Sequence, residues 1–154
     1  MPTQIRERIC VSWHLNFVVD IVDGTAVSSY FSEKYEEPVI LSDFSEGLMK
    51  RLEDYFRGKP VDFKDVPAVY PTAFSKKVLE FVRHIPYGSV NTYSEIAKTI
   101  KSSPRAVGNA LRMNRVPVII PCHRVVSGDG IGGYSEGVEL KRMLLELEGQ
   151  KFRF

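Results

Sequence analysis

Thr92-Tyr-Ser-Glu-Ile-Ala-Lys-Thr-Ile-Lys-Ser-Ser-Pro-Arg-Ala-Val-Gly-Asn-Ala-Leu-Arg-Met113 is the stretch whose reading decides the fold. Tyr93, Ile96, Ala97 and Ile100 share one face at helical spacing, which predicts a helix from about Thr92 to Ile100. A second helix is predicted from about Pro104 to Met113. Ser103 stands at its cap position and Pro104 at its first helical position, where a missing N–H costs nothing. Only Lys101-Ser102-Ser103 separates the two, as in a helix-turn-helix. Val107, Ala110 and Leu111 form the inward stripe of the second helix. Arg105, Gly108, Asn109 and Arg112 form the opposite stripe, which is basic, polar and small. Gly108 costs roughly 1 kcal/mol relative to alanine inside a helix. Close approach of a nucleic-acid strand and packing against a neighbouring helix explain it equally well. Helix-turn-helix proteins usually read the major groove, but the small residues here also suit the narrower minor groove.

Outward from this pair, the chain reads as α+β. Upstream, Leu15, Phe17, Val19 and Ile21 alternate with His14, Asn16, Val18 and Asp20, which predicts a strand. Asp23-Gly24 is a hairpin signal, with Thr25 to Phe31 as the returning strand. Cys10, in Ile9-Cys-Val-Ser-Trp13, reads as a small buried apolar residue. A helix from about Asp43 to Phe56 carries Phe44, Leu48, Leu52 and Tyr55/Phe56 at helical spacing and stops at Arg57-Gly58-Lys59-Pro60. Residues 58–71 contain Pro60, Pro67 and Pro71 and read as an extended linker. The expected organisation is an N-terminal unit (1–57), a linker (58–71) and a mostly helical C-terminal unit (72–154). The latter opens with a helix over about Thr72 to His84, its core stripe Phe74, Val78, Phe81, Val82 and Ile85. It closes with a helix over about Val138 to Leu147, its core face Leu140, Met143, Leu144 and Leu147.

The net charge of +2 conceals an asymmetry. Residues 1–57 carry six Lys/Arg against ten Asp/Glu, and residues 58–154 carry fifteen against nine. Between Ile96 and Gly128 there is no acidic residue, while Lys98, Lys101, Arg105, Arg112, Arg115 and Arg124 all fall there. Such a one-sign stretch is a candidate polyanion footprint, or a solvated basic face. No apolar run approaches the roughly 20 residues that cross a membrane, and the start lacks the apolar core of a signal peptide. A cytoplasmic protein is therefore expected. Two cysteines make no disulfide framework, and three histidines (His14, His84, His123) at no ligand-like spacing predict no metal site. No cofactor is expected.

Cys122 lies in the apolar run Val116-Pro-Val-Ile-Ile-Pro-Cys-His-Arg-Val-Val126. Most buried cysteines are inert. Here His123 and Arg124 follow directly, polar groups that need partners in a buried run, and a nearby cation or base makes a thiolate accessible. Neighbours in an extended chain point to opposite faces, so linking Cys122 to His123 requires a turn or a bridging water. Glu148, at the dipole-opposed end of the last helix, is the candidate partner for the base. A solvated surface glutamate is the competing reading.

Pro121-Cys-His-Arg-Val125 strongly resembles the active-site signature of O6-alkylguanine-DNA alkyltransferases. The resemblance runs from about Phe74 to Glu148. It takes in Tyr87-Gly88, Thr92-Tyr93, Arg105-Ala-Val-Gly-Asn-Ala110, Asn114 with Pro117, Gly132-Gly-Tyr134 and Lys141 to Glu148. It implies that Cys122 accepts an alkyl group irreversibly, one event per molecule, from O6-alkylguanine and as a further substrate O4-methylthymine. His123 would activate Cys122 through a water, oriented by Glu148. Tyr93 would perturb the target phosphate and hydrogen-bond the base. Arg105 would fill the gap left by the flipped base. Asn114 would be a structural hinge, and Val125, Tyr134 and Ser135 would hold the guanine beside Cys122. Ala106, Gly108, Asn109, Arg112 and Arg115 would complete the contact with double-stranded DNA. A monomer is implied. The sequence departs from the family in lacking the N-terminal zinc ligands of some members and in carrying Glu136 at a pocket-rim position often filled by a smaller residue. The alternative reading is an alkyl-damage-sensing DNA-binding protein that transfers nothing.

Overall fold

The computed structural model describes residues 3–150. Three antiparallel strands, β1 (Arg6–Ser12), β2 (Asn16–Val22) and β3 (Thr25–Ser32), form a sheet in that order. The β2–β3 turn is Asp23-Gly24, both at positive φ (50° and 78°), the backbone twist a two-residue hairpin requires. Helix α1 (Asp43–Phe56) follows, then α2 (Ala73–Arg83), α3 (Tyr93–Ile100), α4 (Pro104–Leu111) and α5 (Val138–Leu147). Residues Asn91–Thr92 (β4) and Val125–Val126 (β5) pair in parallel. A single 3₁₀ turn, Cys122–Arg124, sits immediately before β5. The architecture is α+β.

The helix starts follow the expected chemistry. The side chains of Ser42, Thr72, Thr92 and Ser103 each accept from the backbone N–H three residues on. Thr92 and Glu95 form a reciprocal capping box, fixing the start of α3 at Tyr93. Lys101 ends α3 in the left-handed region, which turns the chain sharply into α4.

One apolar cluster joins both halves of the chain. It includes Ile9, Phe17, Leu48 and Tyr55 from the first half and Val78, Ile96, Val107, Ile120 and Leu144 from the second. Residues 58–71 contribute Phe63 and Val66 to it. Arg83 on α2 holds that segment down, donating to the carbonyls of Phe63 (2.7 Å) and Val66 (2.5 Å). β3 grips the segment leading to Cys122. The Ser29 N–H donates to the Arg115 carbonyl at 2.9 Å, and Ser29 Oγ donates to the Pro117 carbonyl at 2.8 Å.

One strand escapes the sequence reading and two expectations are corrected. Arg6–Ser12 form β1, whose alternation is masked by Arg6-Glu7-Arg8; Glu7 is buried because it accepts from the Leu41 N–H and Ser42 Oγ. Phe74 is not in the α2 core but 41% exposed, because the Thr72–Ser75 capping box turns Ser75, Val78, Leu79 and Val82 inward instead. The buried positions of α5 are Lys141, Leu144 and Leu145, with Glu148 following at the cap, while Leu140 and Met143 are only partly covered. An apolar count cannot find a face whose two ends are charged.

Candidate active site

Cys122 is partly exposed at the floor of a cleft of about 870 Å³. Arg105, Gly108 and Asn109 of α4, Arg112 at its C-cap, Tyr93 at the start of α3, and Tyr134 and Ser135 from the loop before α5 share its lining. The thiol therefore opens onto the basic stripe of α4. A Cβ added at Gly108 would meet nothing within 4 Å, so no neighbouring element of the chain demands a glycine there. Arg105 and Arg112 are exposed and make no ion pair among the described residues.

The 3₁₀ turn separates Cys122 from its neighbour. Cys122 faces the cleft, whereas His123 and Arg124 turn into the core, 0% and 4% exposed. His123 Nε2 lies 2.7 Å from Glu148 Oε2. Arg124 donates from Nε to Glu148 Oε1 at 2.8 Å, from Nη2 to Glu148 Oε2 at 3.0 Å, and from Nη1 to the Ile85 carbonyl at 2.7 Å. A two-point guanidinium–carboxylate pair is the strongest way to keep a buried carboxylate ionised. Burial opposes the Glu148 charge, but His123 and Arg124 overcome it and hold the carboxyl well below its usual range. Burial lowers the His123 pKa despite Glu148, so its imidazole is neutral at neutral pH. An ionised carboxylate can only accept. Nε2 therefore carries the imidazole proton, and Nδ1, which bonds no protein atom, keeps its lone pair.

The thiol rests protonated. Burial pushes the Cys122 pKa up to about 11, against the opposing influence of the Asn114 amide and Lys141. Asn114 Nδ2 lies 3.1 Å from Cys122 Sγ and also donates to the Ile120 carbonyl, while Asn114 Oδ1 accepts from the Val116 N–H. One side chain thus ties the end of α4 to the segment that carries Cys122. Lys141 is fully buried, and Nζ donates to the carbonyls of Val125 (2.6 Å) and Gly133 (2.8 Å). Burial pulls its pKa down to about 8. Gly132 is required by space as well as by its φ of 77°, since a Cβ there would lie 2.9 Å from Tyr93 Oη.

A family model described as "6-O-methylguanine DNA methyltransferase, DNA binding domain" matches residues 73–150. The chain belongs to this methyltransferase family. A methylated-DNA–protein-cysteine methyltransferase of Metallosphaera sedula is 49% identical over 128 residues, 82% of each chain. One from Archaeoglobus fulgidus is 46% identical over 146 residues, covering 90% of this chain and 97% of the relative. Among solved structures, the O6-methylguanine methyltransferase of Mycobacterium tuberculosis superposes with a TM-score of 0.77 at 30% identity, over 94% of this chain and 93% of that one. A Mycobacterium tuberculosis OGT in complex with DNA gives 0.75 at 30% identity, over 92% and 91%.

Within this methyltransferase chain, the residues picked out by sequence separate into three groups. Tyr93, Arg105, Gly108, Asn109, Arg112, Cys122, Tyr134 and Ser135 line the cleft, while Asn114 contacts Cys122 Sγ and His123 and Glu148 pair with each other in the core. Ala106 and Arg115 do not line the cleft, and the Val125 carbonyl already accepts from Lys141. The sequence reading missed Lys141 and Tyr55 as site residues. Tyr55 Oη donates to Glu148 Oε2 at 2.5 Å. Its place at the expected core stripe of α1 disguised it as packing.

Proposed function

We propose that this chain repairs DNA by taking the alkyl group of O6-alkylguanine onto Cys122, once and irreversibly. The observation that carries this reading is the opening of the Cys122 thiol onto the same cleft as the basic stripe of α4, with a His–Glu pair behind it. In this reading α3 and α4 act as a helix-turn-helix and α4 enters the minor groove of duplex DNA. The exposed Arg105 and Arg112 are free to meet phosphate or fill a vacated stack, and the bare Gly108 lets a backbone come close. Arg115 and Ala106 lie at the edge of this contact. A stacked guanine hides its O6 atom, so the base is extruded at a cost of a few kcal/mol. Tyr93 steers the target nucleotide and donates to the base, while Tyr134, Ser135 and the Val125 backbone hold it.

The Cys122 proton passes through a water to His123 Nδ1, the nitrogen with the free lone pair. Glu148 stabilises the imidazolium that forms. The sulfur attacks the alkyl carbon: one S–C bond forms, the C–O6 bond breaks, and the guanine leaves, gaining the one proton the thiol lost. The thioether has no leaving route, so the protein is consumed. O4-methylthymine presents the same alkyl–oxygen bond and is the second substrate in this reading. The chain acts as a monomer, residues 72–154 forming the DNA and transfer unit and residues 1–57 its buttress.

Intact mass after incubation with an O6-methylguanine duplex tests the reading. A gain of one methylene on Cys122, limited to one per chain and absent from Cys122→Ala, is expected. Binding without any gain would leave the damage-sensing alternative, and transfer by Cys122→Ala would overturn the assignment of the acceptor.

A further inference from the structure

Glu148 Oε2 receives three donors: His123 Nε2, Arg124 Nη2 and Tyr55 Oη. The first two come from the 3₁₀ turn beside Cys122. The third comes from α1, 93 positions away in sequence. Tyr55 is fully buried, and its hydroxyl also lies 3.4 Å from His123 Nε2. His123 Nε2 carries the imidazole proton and cannot accept, so Tyr55 donates to the carboxylate rather than to the imidazole. Burial and the neighbouring Glu148 raise its pKa well above the usual value, so the phenol keeps its proton. The ring alone would satisfy packing, since it meets Phe56, Phe63 and Tyr87 edge-on at 5.1, 5.8 and 6.2 Å between centroids. A hydroxyl aimed at the most heavily used oxygen of the site asks for a further reason.

We propose that Tyr55 is a positioning residue of the acceptor site: its hydroxyl occupies Glu148 Oε2 and so limits how strongly that carboxylate draws on the His123 proton. The inference rests on the transfer reading for its purpose, but not for its geometry. Each carboxylate oxygen offers about two good acceptor positions, yet three donors crowd Oε2 while one serves Oε1, so the phenol competes with the imidazole for the same lone pairs. Taking away the phenol leaves Oε2 more negative and the imidazolium better stabilised. His123 would then hold a proton at higher pH, with Nδ1 blocked as a base. The other groups around His123 are Arg124 on its own turn, Tyr134 with its ring 6.4 Å away, and Lys141 on α5, while Cys122 on the same turn faces the cleft. Arg124 and Lys141 work against imidazolium. Glu148 alone favours it, so the number of donors on Glu148 sets the balance.

The test is Tyr55→Phe in the full chain, read in two ways. His123 is titrated by nitrogen NMR in the unreacted protein, and the single-turnover transfer rate is measured against pH on an O6-methylguanine duplex. The expected result is a His123 titration moved upward by about one unit, with the acid limb of the rate profile moved alike. Leu52→Val, one turn earlier on α1, should lower stability without moving either. An unmoved His123 titration overturns the inference whatever the transfer rates are. A moved titration in a protein that transfers nothing keeps the inference and removes the transfer reading. If Tyr55→Phe does not fold, 3-fluorotyrosine incorporated at position 55 is a stronger donor and must move the titration the opposite way; no movement overturns the inference.

Discussion

On the α4 side of the cleft, Arg105, Asn109 and Arg112 stand exposed, and among the described residues neither arginine has an acidic partner. Behind Cys122, the side chains of His123, Arg124, Lys141 and Glu148 are buried, and each hydrogen-bonds another part of the chain. The outer wall leaves its charge unsatisfied in water, where this costs little, and so keeps it available to something that arrives. The inner wall cancels its charge internally, because an unpaired ion there costs several kcal/mol. The two walls should therefore respond to substitution in opposite ways, stability on one side and binding on the other.

Glu148→Ala attacks the inner wall hardest. It strands Arg124 and His123 without their acceptor and is expected to cost about 3–5 kcal/mol, read as a fall in denaturation midpoint, with transfer at least a hundredfold slower. A loss of transfer with unchanged stability would contradict the buried geometry. Lys141→Met is gentler and shows itself in pH dependence. The folded Lys141 pKa is about 8 against an ordinary 10.5, so above pH 8 the unfolded chain binds more protons and folding stability rises with pH. Cys122 opposes this from about pH 9, where the unfolded thiol ionises while the folded one holds its proton to about 11. Denaturant melts between about pH 8 and 9 should show the rise, and Lys141→Met should flatten it. Arg112→Ala on the outer wall should leave stability within about 0.5 kcal/mol. Its effect belongs in DNA affinity, whose salt slope should fall by about one. An Arg112→Ala protein that melts early but binds normally would erase the contrast between the walls.

The same contrast explains what was legible in the sequence. The outer wall is local: Ser103-Pro104 starts α4, and the stripe Arg105, Gly108, Asn109, Arg112 follows from helical spacing alone. The Asp23-Gly24 hairpin and the ends of α1 and α2 are equally local. The inner wall depends on contacts between distant residues. Glu148 could be suspected from its poor fit to a helix C-terminus, but Tyr55 and Lys141 could not. Tyr55 satisfies an apolar stripe, and Lys141 lies where a charge predicts solvent. Their roles exist only once α1, the 3₁₀ turn and α5 meet. The β1 strand was hidden for the same reason, because Glu7 is buried by donors on residues 41 and 42.

The parallel pairing of Asn91–Thr92 with Val125–Val126 constrains how the chain can drift over generations. Tyr93 leaves one strand of this short ladder, and Cys122 lies three residues before the other. Their spacing is counted from a common ruler. Adding or deleting one residue between Thr92 and Tyr93, or between Cys122 and Val125, would slip a side chain out of the cleft however well the rest folded. Length variation should therefore gather in the exposed turn around Gly128–Asp129, which lies outside the ruler, and skip these two junctions.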